Sequence, residues 1–163
     1  MRIQDGEVAV MLKGKPENPS NGASVMETGL SQKVVSGIAY SRDETQISLR
    51  RVEDKPGVAA AVFGPLAEAN INVDMIVQNV GADETTDFTF TVHRNEYDKA
   101  LEIMQATAER LGAREVSGNN KIAKVSLVGV GMRSHAGIAS KMFEALAKEG
   151  INILMISTSE IKV

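Results

Sequence analysis

Residues Asp54–Ile76 read DKPGVAAAVFGPLAEANINVDMI, and this stretch decides the fold. Asp54, Lys55, Pro56 and Gly57 are turn formers, and Asp54 is placed to cap a helix. Val58, Val62, Phe63, Leu66 and Ala69 then recur at three-to-four spacing, which predicts that helix from about Gly57 to Asn70. A strand is expected over Ile71–Val80. Sliding the sequence by 80 positions lays this stretch on Ser134–Ile156, and nine of the 23 pairs are identical. They include Gly57/Gly137, Phe63/Phe143, Leu66/Leu146, Asn72/Asn152 and Met75/Met155. A helix face, a glycine and the start of a strand have been duplicated together, so the chain holds two copies of one unit.

Working outward, Ile47 and Leu49 alternate with Ser48 and Arg50, the period-two pattern of a half-buried strand over Gln46–Val52. Gly81–Glu84 reads as a hairpin turn and Thr85–Val92 as the partner strand, with Phe88, Phe90 and Val92 on one face. Leu101, Met104, Ala108 and Leu111 mark a second helix closed by Gly112, and a short strand is expected at Arg114–Val116. The sum is a βαββαβ unit. In the second copy the strand is Lys124–Val130, the helix Ala136–Glu149 and the next strand Ile151–Ser157. Val163 falls inside its third strand, so this copy is expected to be truncated at its C-terminus. A spare strand at Lys33–Tyr40 is expected to complete the second sheet, with the first unit inserted in the second. The turn-rich run Lys13–Gly22 marks the N-terminus as a tail. The expected class is α+β, ferredoxin-like units in tandem. The expected boundaries are 1–30 flexible tail or linker, 31–44 completing strand, 45–118 first unit and 119–163 second unit.

Composition narrows the function. A net charge of −3 provides no basic field for nucleic acid or an anionic membrane surface. The absence of cysteine rules out a disulfide framework and thiolate metal sites, and His93 and His135 lie too far apart in sequence for a metal cluster. The apolar run Val8–Leu12 is too short for a signal-peptide core. A cytoplasmic setting is expected, with no metal and no cofactor.

Several patterns invite chemistry and fall short of it. Gly129, Gly131 and Gly137 approach a dinucleotide fingerprint, but Ser134 stands where the pattern needs glycine. Ser134 and His135 are adjacent in a turn without an orienting acid, which is no nucleophile and base pair. Phe88 and Phe90 sit where RNA-recognition folds stack bases, yet Thr86, Asp87, Thr89 and Thr91 give no basic groove, so core packing is expected. Arg50, Arg51 and Lys55 read as a solvated strand end. The constellation with a rationale is the loop Asp54, Lys55, Pro56, Gly57, Val58, Ala59, expected to face Asn72, Val73 and Asp74 on the adjacent strand. A helix starting at Gly57 presents unpaired N–H groups and a positive dipole end, a seat for an α-carboxylate. Asn72 and Asp74 would accept from an ammonium group, and Gln78 would read a polar side chain. Read without a family, the same residues also suit a helix cap and a turn.

These residues, with Met75-Ile76-Val77-Gln78-Asn79, Thr85–Thr91, Lys124–Gly129, Met132–His135 and Ile156-Ser157-Thr158-Ser159-Glu160-Ile161, resemble the regulatory region of monofunctional aspartate kinases from about Val34 to Val163. The resemblance implies paired ACT units, one inserted in the other, that bind threonine or lysine as end-product inhibitors. It adds the second copy's Ser134, His135, Gly137, Ile138, Asn152, Ile153, Thr158, Ser159 and Glu160 to the ligand-binding set. It also implies a homodimer, the first unit of one chain near the second of the other, and a partner in the catalytic α subunit or kinase domain. The family's Lys-Phe-Gly-Gly-Thr-Ser phosphate motif is absent, so no catalytic residue is expected and ATP belongs to the kinase domain. The alternative is a free-standing ACT-type sensor or regulatory subunit of another biosynthetic enzyme.

Overall fold

The computed structural model describes residues 6–13, 35, 37–129 and 137–160. The chain divides into two units: Asp43–Lys121 forms one, and it interrupts the other, made of Met1–Arg42 and Ile122–Val163. The inserted unit runs β3 (Glu44–Glu53), α1 (Val58–Glu68), β4 (Val73–Val80), β5 (Thr85–His93), α2 (Tyr97–Leu111) and β6 (Glu115–Asn119). Its sheet has the order β4-β5-β3-β6 with every neighbouring pair antiparallel. This is the ferredoxin-like βαββαβ pattern.

The reasons are local before they are global. Ile47 and Leu49 on β3 pair directly with Phe90 and Phe88 on β5, so all four side chains leave the sheet on one face, and all are buried. Val62 and Leu66, one helical turn apart on α1, close over them, and Met104 of α2 fills beside. Each such side chain contributes about 1.5–3 kcal/mol by leaving water. Phe63 stands edge-on to both Phe88 and Phe90, with ring centroids 5.7 and 5.3 Å away. Phe88 and Phe90 are therefore core residues. α1 stops where Asn70 turns left-handed at φ 58 and the Ile71 N–H donates to the Leu66 carbonyl at 2.9 Å. Gly150 (φ 67) and the Ile151 to Leu146 bond, also 2.9 Å, repeat this stop in the other unit.

The outer unit contains β1 (Gly6–Lys13), β2 (Gly37–Ser41), β7 (Ile122–Gly129), α3 (Ile138–Lys148) and β8 (Ile153–Glu160), with sheet order β2-β7-β1-β8. Laid on the inserted unit, β7 matches β3, α3 matches α1, β8 matches β4, β1 matches β5 and β2 matches β6. This corrects the tail reading over Gly6–Lys13, which is hydrogen-bonded on both sides, to β7 and to β8, while the rest of residues 1–30 lies outside the described residues. Val8–Leu12 is apolar at every position, so it lacks the polar alternation by which a half-buried strand is recognised. The third-strand place in the outer sheet is filled by β1, and the expected completing strand supplies the fourth, beginning at Gly37. No described helix is long and apolar enough to cross a membrane.

Candidate functional site

The loop between β3 and α1 is built around Gly57, whose φ of 90° places it in the left-handed region that favours glycine. No side chain caps α1. Asp54, expected to do so, lies ahead of the N-cap position, which is Gly57, and its backbone N–H donates to the Glu84 carbonyl at 2.9 Å, joining the loop to the β4–β5 hairpin. Lys55 pairs with Glu53 at 2.7 Å in the open. Beneath lies a hollow of about 200 Å³ lined by Val52, Glu53, Lys55, Pro56, Gly57, Val58, Ala61 and Leu111. Val58 is buried, Pro56 and Ala59 are exposed, and a Cβ added at Gly57 would meet nothing within 4 Å. The helix dipole and an open backbone approach thus converge on a space smaller than the roughly 300–1,000 Å³ of drug-sized ligand sites.

The strand half of the expected constellation lies elsewhere in the unit. β4 is the edge strand, and β5 separates it from β3. The expectation that Asn72, Val73 and Asp74 face the Gly57 loop from an adjacent strand is therefore corrected. β3 and β4 both pair antiparallel with β5, so they run the same way, and α1 returns the chain to the far end before β4 starts. Val73 lies level with Val92, while Glu53, just before the loop, lies level with Thr85. Asn72 and Asp74 are exposed, Val73 is half-buried, and Gln78 donates to the Thr86 hydroxyl at 3.1 Å.

In the outer unit Gly137 repeats the left-handed start, with φ 100° and no side-chain cap on α3. Ile138 and Ile153 are half-buried, while Asn152 and Thr158 are exposed. Ser159 and Glu160 end β8, level with Glu7 and Gly6 of β1. Ser134 and His135 lie outside the described residues. The basic trio is spent on acidic neighbours, Arg50 on Glu115 at 3.8 Å, Arg51 on Asp83 at 3.3 Å and Lys55 on Glu53.

Sequence reading missed a second hollow of about 200 Å³ at the β4–β5 turn, lined by Arg51, Asn79, Val80, Gly81, Asp83, Thr85 and Asp87. Arg51 is itself left-handed at φ 54, where β3 shifts register, and its N–H donates to Asp87 Oδ1 at 2.7 Å. A bulge in an Arg-Arg pair leaves no compositional mark. The Thr85 hydroxyl, donating at 2.7 Å, holds the Asp83 carboxyl below its ordinary value, with Arg51 adding to the effect. Among the described residues no three histidine, aspartate or glutamate side chains converge as metal ligands.

The ACT domain family matches this chain twice, over residues 45–109 and 125–163. An aspartate kinase of Pseudomonas fluorescens is 68% identical over 137 residues, 84% of this chain and 33% of the relative, so the chain spans about a third of the curated relatives it matches. The ligand-free regulatory subunit of aspartate kinase from Thermus thermophilus superposes with a TM-score of 0.73 at 43% identity, covering 79% of this chain and 85% of that one. A structure of aspartokinase alpha and beta subunits gives 0.70 at 52% identity, covering 77% and 82%. Two ACT units, one interrupting the other, at this identity and over nearly the whole of a regulatory subunit, place the chain in the family of aspartate kinase regulatory subunits.

Proposed function

We propose that this chain binds a free amino acid, threonine or lysine, and passes the binding event to an aspartate kinase catalytic partner as feedback inhibition. The observation that carries the proposal is the uncapped start of α1 at left-handed Gly57 over its 200 Å³ hollow, a place for an α-carboxylate. Asn72 and Asp74 are the groups for the α-ammonium, and they sit at the other end of the same unit. A second copy resolves the separation. Two β4 edges set antiparallel bring the Asn72 end of one copy to the loop end of the other, and Ile76, 54% exposed in mid-strand, lies at the centre of such a contact. The protein is then a homodimer whose ligand lies between copies. A ligand held there shifts the assembly by its difference in affinity for two arrangements, about 1–3 kcal/mol in allosteric proteins. The setting for this role is the cytoplasm, and ATP and aspartate chemistry belongs to the partner.

Titration calorimetry with threonine, lysine, methionine and isoleucine tests the reading. Threonine or lysine should bind, and Asp74→Ala should weaken binding at least tenfold with the fold intact. Equal affinity of the parent and Asp74→Ala would remove the ammonium assignment. Binding by none of the four would remove the proposal.

A further inference from the structure

α1 carries a proline in its interior, Pro65, where the equivalent position of α3 is Ala145. In a helix each backbone N–H donates to the carbonyl four residues back, and proline has no N–H. The Ala61 carbonyl therefore loses its helical donor, whereas Ala145 keeps an N–H for the carbonyl of Lys141. The missing donor is replaced from outside the helix. Arg110, in the last turn of α2, donates from its guanidinium to the Ala61 carbonyl at 3.1 Å. At the other end of the pair Lys99 of α2 donates to the Ala69 carbonyl at 3.0 Å, but that acceptor is the C-cap of α1, where carbonyls are open in any helix. The Arg110 bond goes to an interior carbonyl, open because of Pro65.

Its position matters more than its strength. Ala61 and Leu111, the residue after Arg110, both line the hollow beneath the Gly57 loop. The Ala61 N–H donates to the Gly57 carbonyl at 3.0 Å and closes the first turn of α1. One residue thus ties that turn through its N–H and the end of α2 through its carbonyl. We propose that Arg110 is a positioning residue for the ligand site: through the carbonyl that Pro65 leaves open, it holds the first turn of α1 against the end of α2 and keeps the hollow in its binding shape. The assignment rests on the amino-acid site proposed above. Arg110 is not among the residues lining the hollow, so it acts through Ala61 and not by touching the ligand. Arginine suits the task, because its donors stay charged at any working pH and a charged donor makes the stronger bond.

A double-mutant cycle with Pro65 tests this, since Pro65→Ala restores the N–H that the Ala61 carbonyl lacks and places the best helix former in the helix. In the parent, Arg110→Ala should weaken threonine or lysine binding about tenfold by titration calorimetry, the weight of one hydrogen bond from a charged donor. In Pro65→Ala the same change should weaken it less than about twofold. No loss in the parent would overturn the proposal. So would a loss of equal size in both backgrounds, since Arg110 would then act by its charge. Hydrogen exchange gives a second readout that needs no ligand. Residues 61–64 should exchange about tenfold faster in Arg110→Ala than in the parent, and no faster in the double variant than in Pro65→Ala. If the parent binds neither amino acid, the amino-acid reading falls and exchange decides on Arg110 by itself. No acceleration in Arg110→Ala, or the same acceleration with Pro65→Ala present, would then overturn its hold on α1.

Discussion

The Arg94 guanidinium donates a 2.7 Å hydrogen bond to the Asn120 carbonyl, while the Arg94 backbone N–H donates, also at 2.7 Å, to the Asp43 carbonyl. Asp43 lies in the connection from β2 to β3 and Asn120 in that from β6 to β7, so one residue of the inserted unit bonds to both ends of that unit. Arg94→Ala should cost about 0.5–1.5 kcal/mol, the net value of an ordinary hydrogen bond. Hydrogen exchange should accelerate at Asn120–Ile122 and stay unchanged at Phe88–Phe90. Uniform acceleration across the sheet would show that the bond to Asn120 has no local role.

Gly57 and Gly137 stand at equivalent left-handed positions with open space around them. Gly57→Ala and Gly137→Ala should each destabilise by about 1–2 kcal/mol through backbone strain alone. The two sites lie in different units, so their effects on urea denaturation should add within about 0.5 kcal/mol. Gly57→Asn, which tolerates the left-handed region better, should cost less than Gly57→Ala.

Gly118 is required for a different reason. A Cβ there would run into the Tyr97 hydroxyl and ring. Gly118→Ala should therefore cost about 1–3 kcal/mol through overpacking. Tyr97→Phe removes the atom struck first and should recover part of that loss. A double-mutant cycle measured by thermal denaturation should give a coupling of opposite sign to the single effect, and strict additivity would show that the ring does not meet the new methyl.

Asp83 supplies a pH dependence. Its folded carboxyl sits below the ordinary value of 3.8 because Thr85 and Arg51 favour the charged form. A group lowered on folding adds stability above its unfolded value and loses it as pH falls through the folded one. The difference in urea midpoint between the parent and Asp83→Asn should be constant from pH 5 to 7 and shrink below about pH 4. The side chain is half exposed to solvent, so the difference is small. Thr85→Val should shrink it at every pH.

The inserted unit is legible in the sequence because each of its signals has a period. Ile47 and Leu49 alternate, Val62 and Leu66 lie one turn apart, and Gly112 closes α2, all of which survive into the fold. β1 is illegible for the converse reason. Val8–Leu12 carries no polar alternation, and the place of this strand in the sheet depends on β7 and β8, more than a hundred residues away. At the candidate site, duplication exposes Gly57 as more than a turn residue. Nearness in sequence, however, joins Asn72 to a loop that the crossover of α1 sends to the opposite end of the sheet.

The two crossings have one more consequence. β2 and β7 are neighbours in one sheet, and through Arg42–Asp43 and Asn120–Lys121 they continue as β3 and β6, neighbours in the other. Two covalent threads therefore join the units, one through residues 42–43 and the other through residues 120–121. A protease nick within residues 42–43 would leave every sheet hydrogen bond in place and only the second thread joining the units.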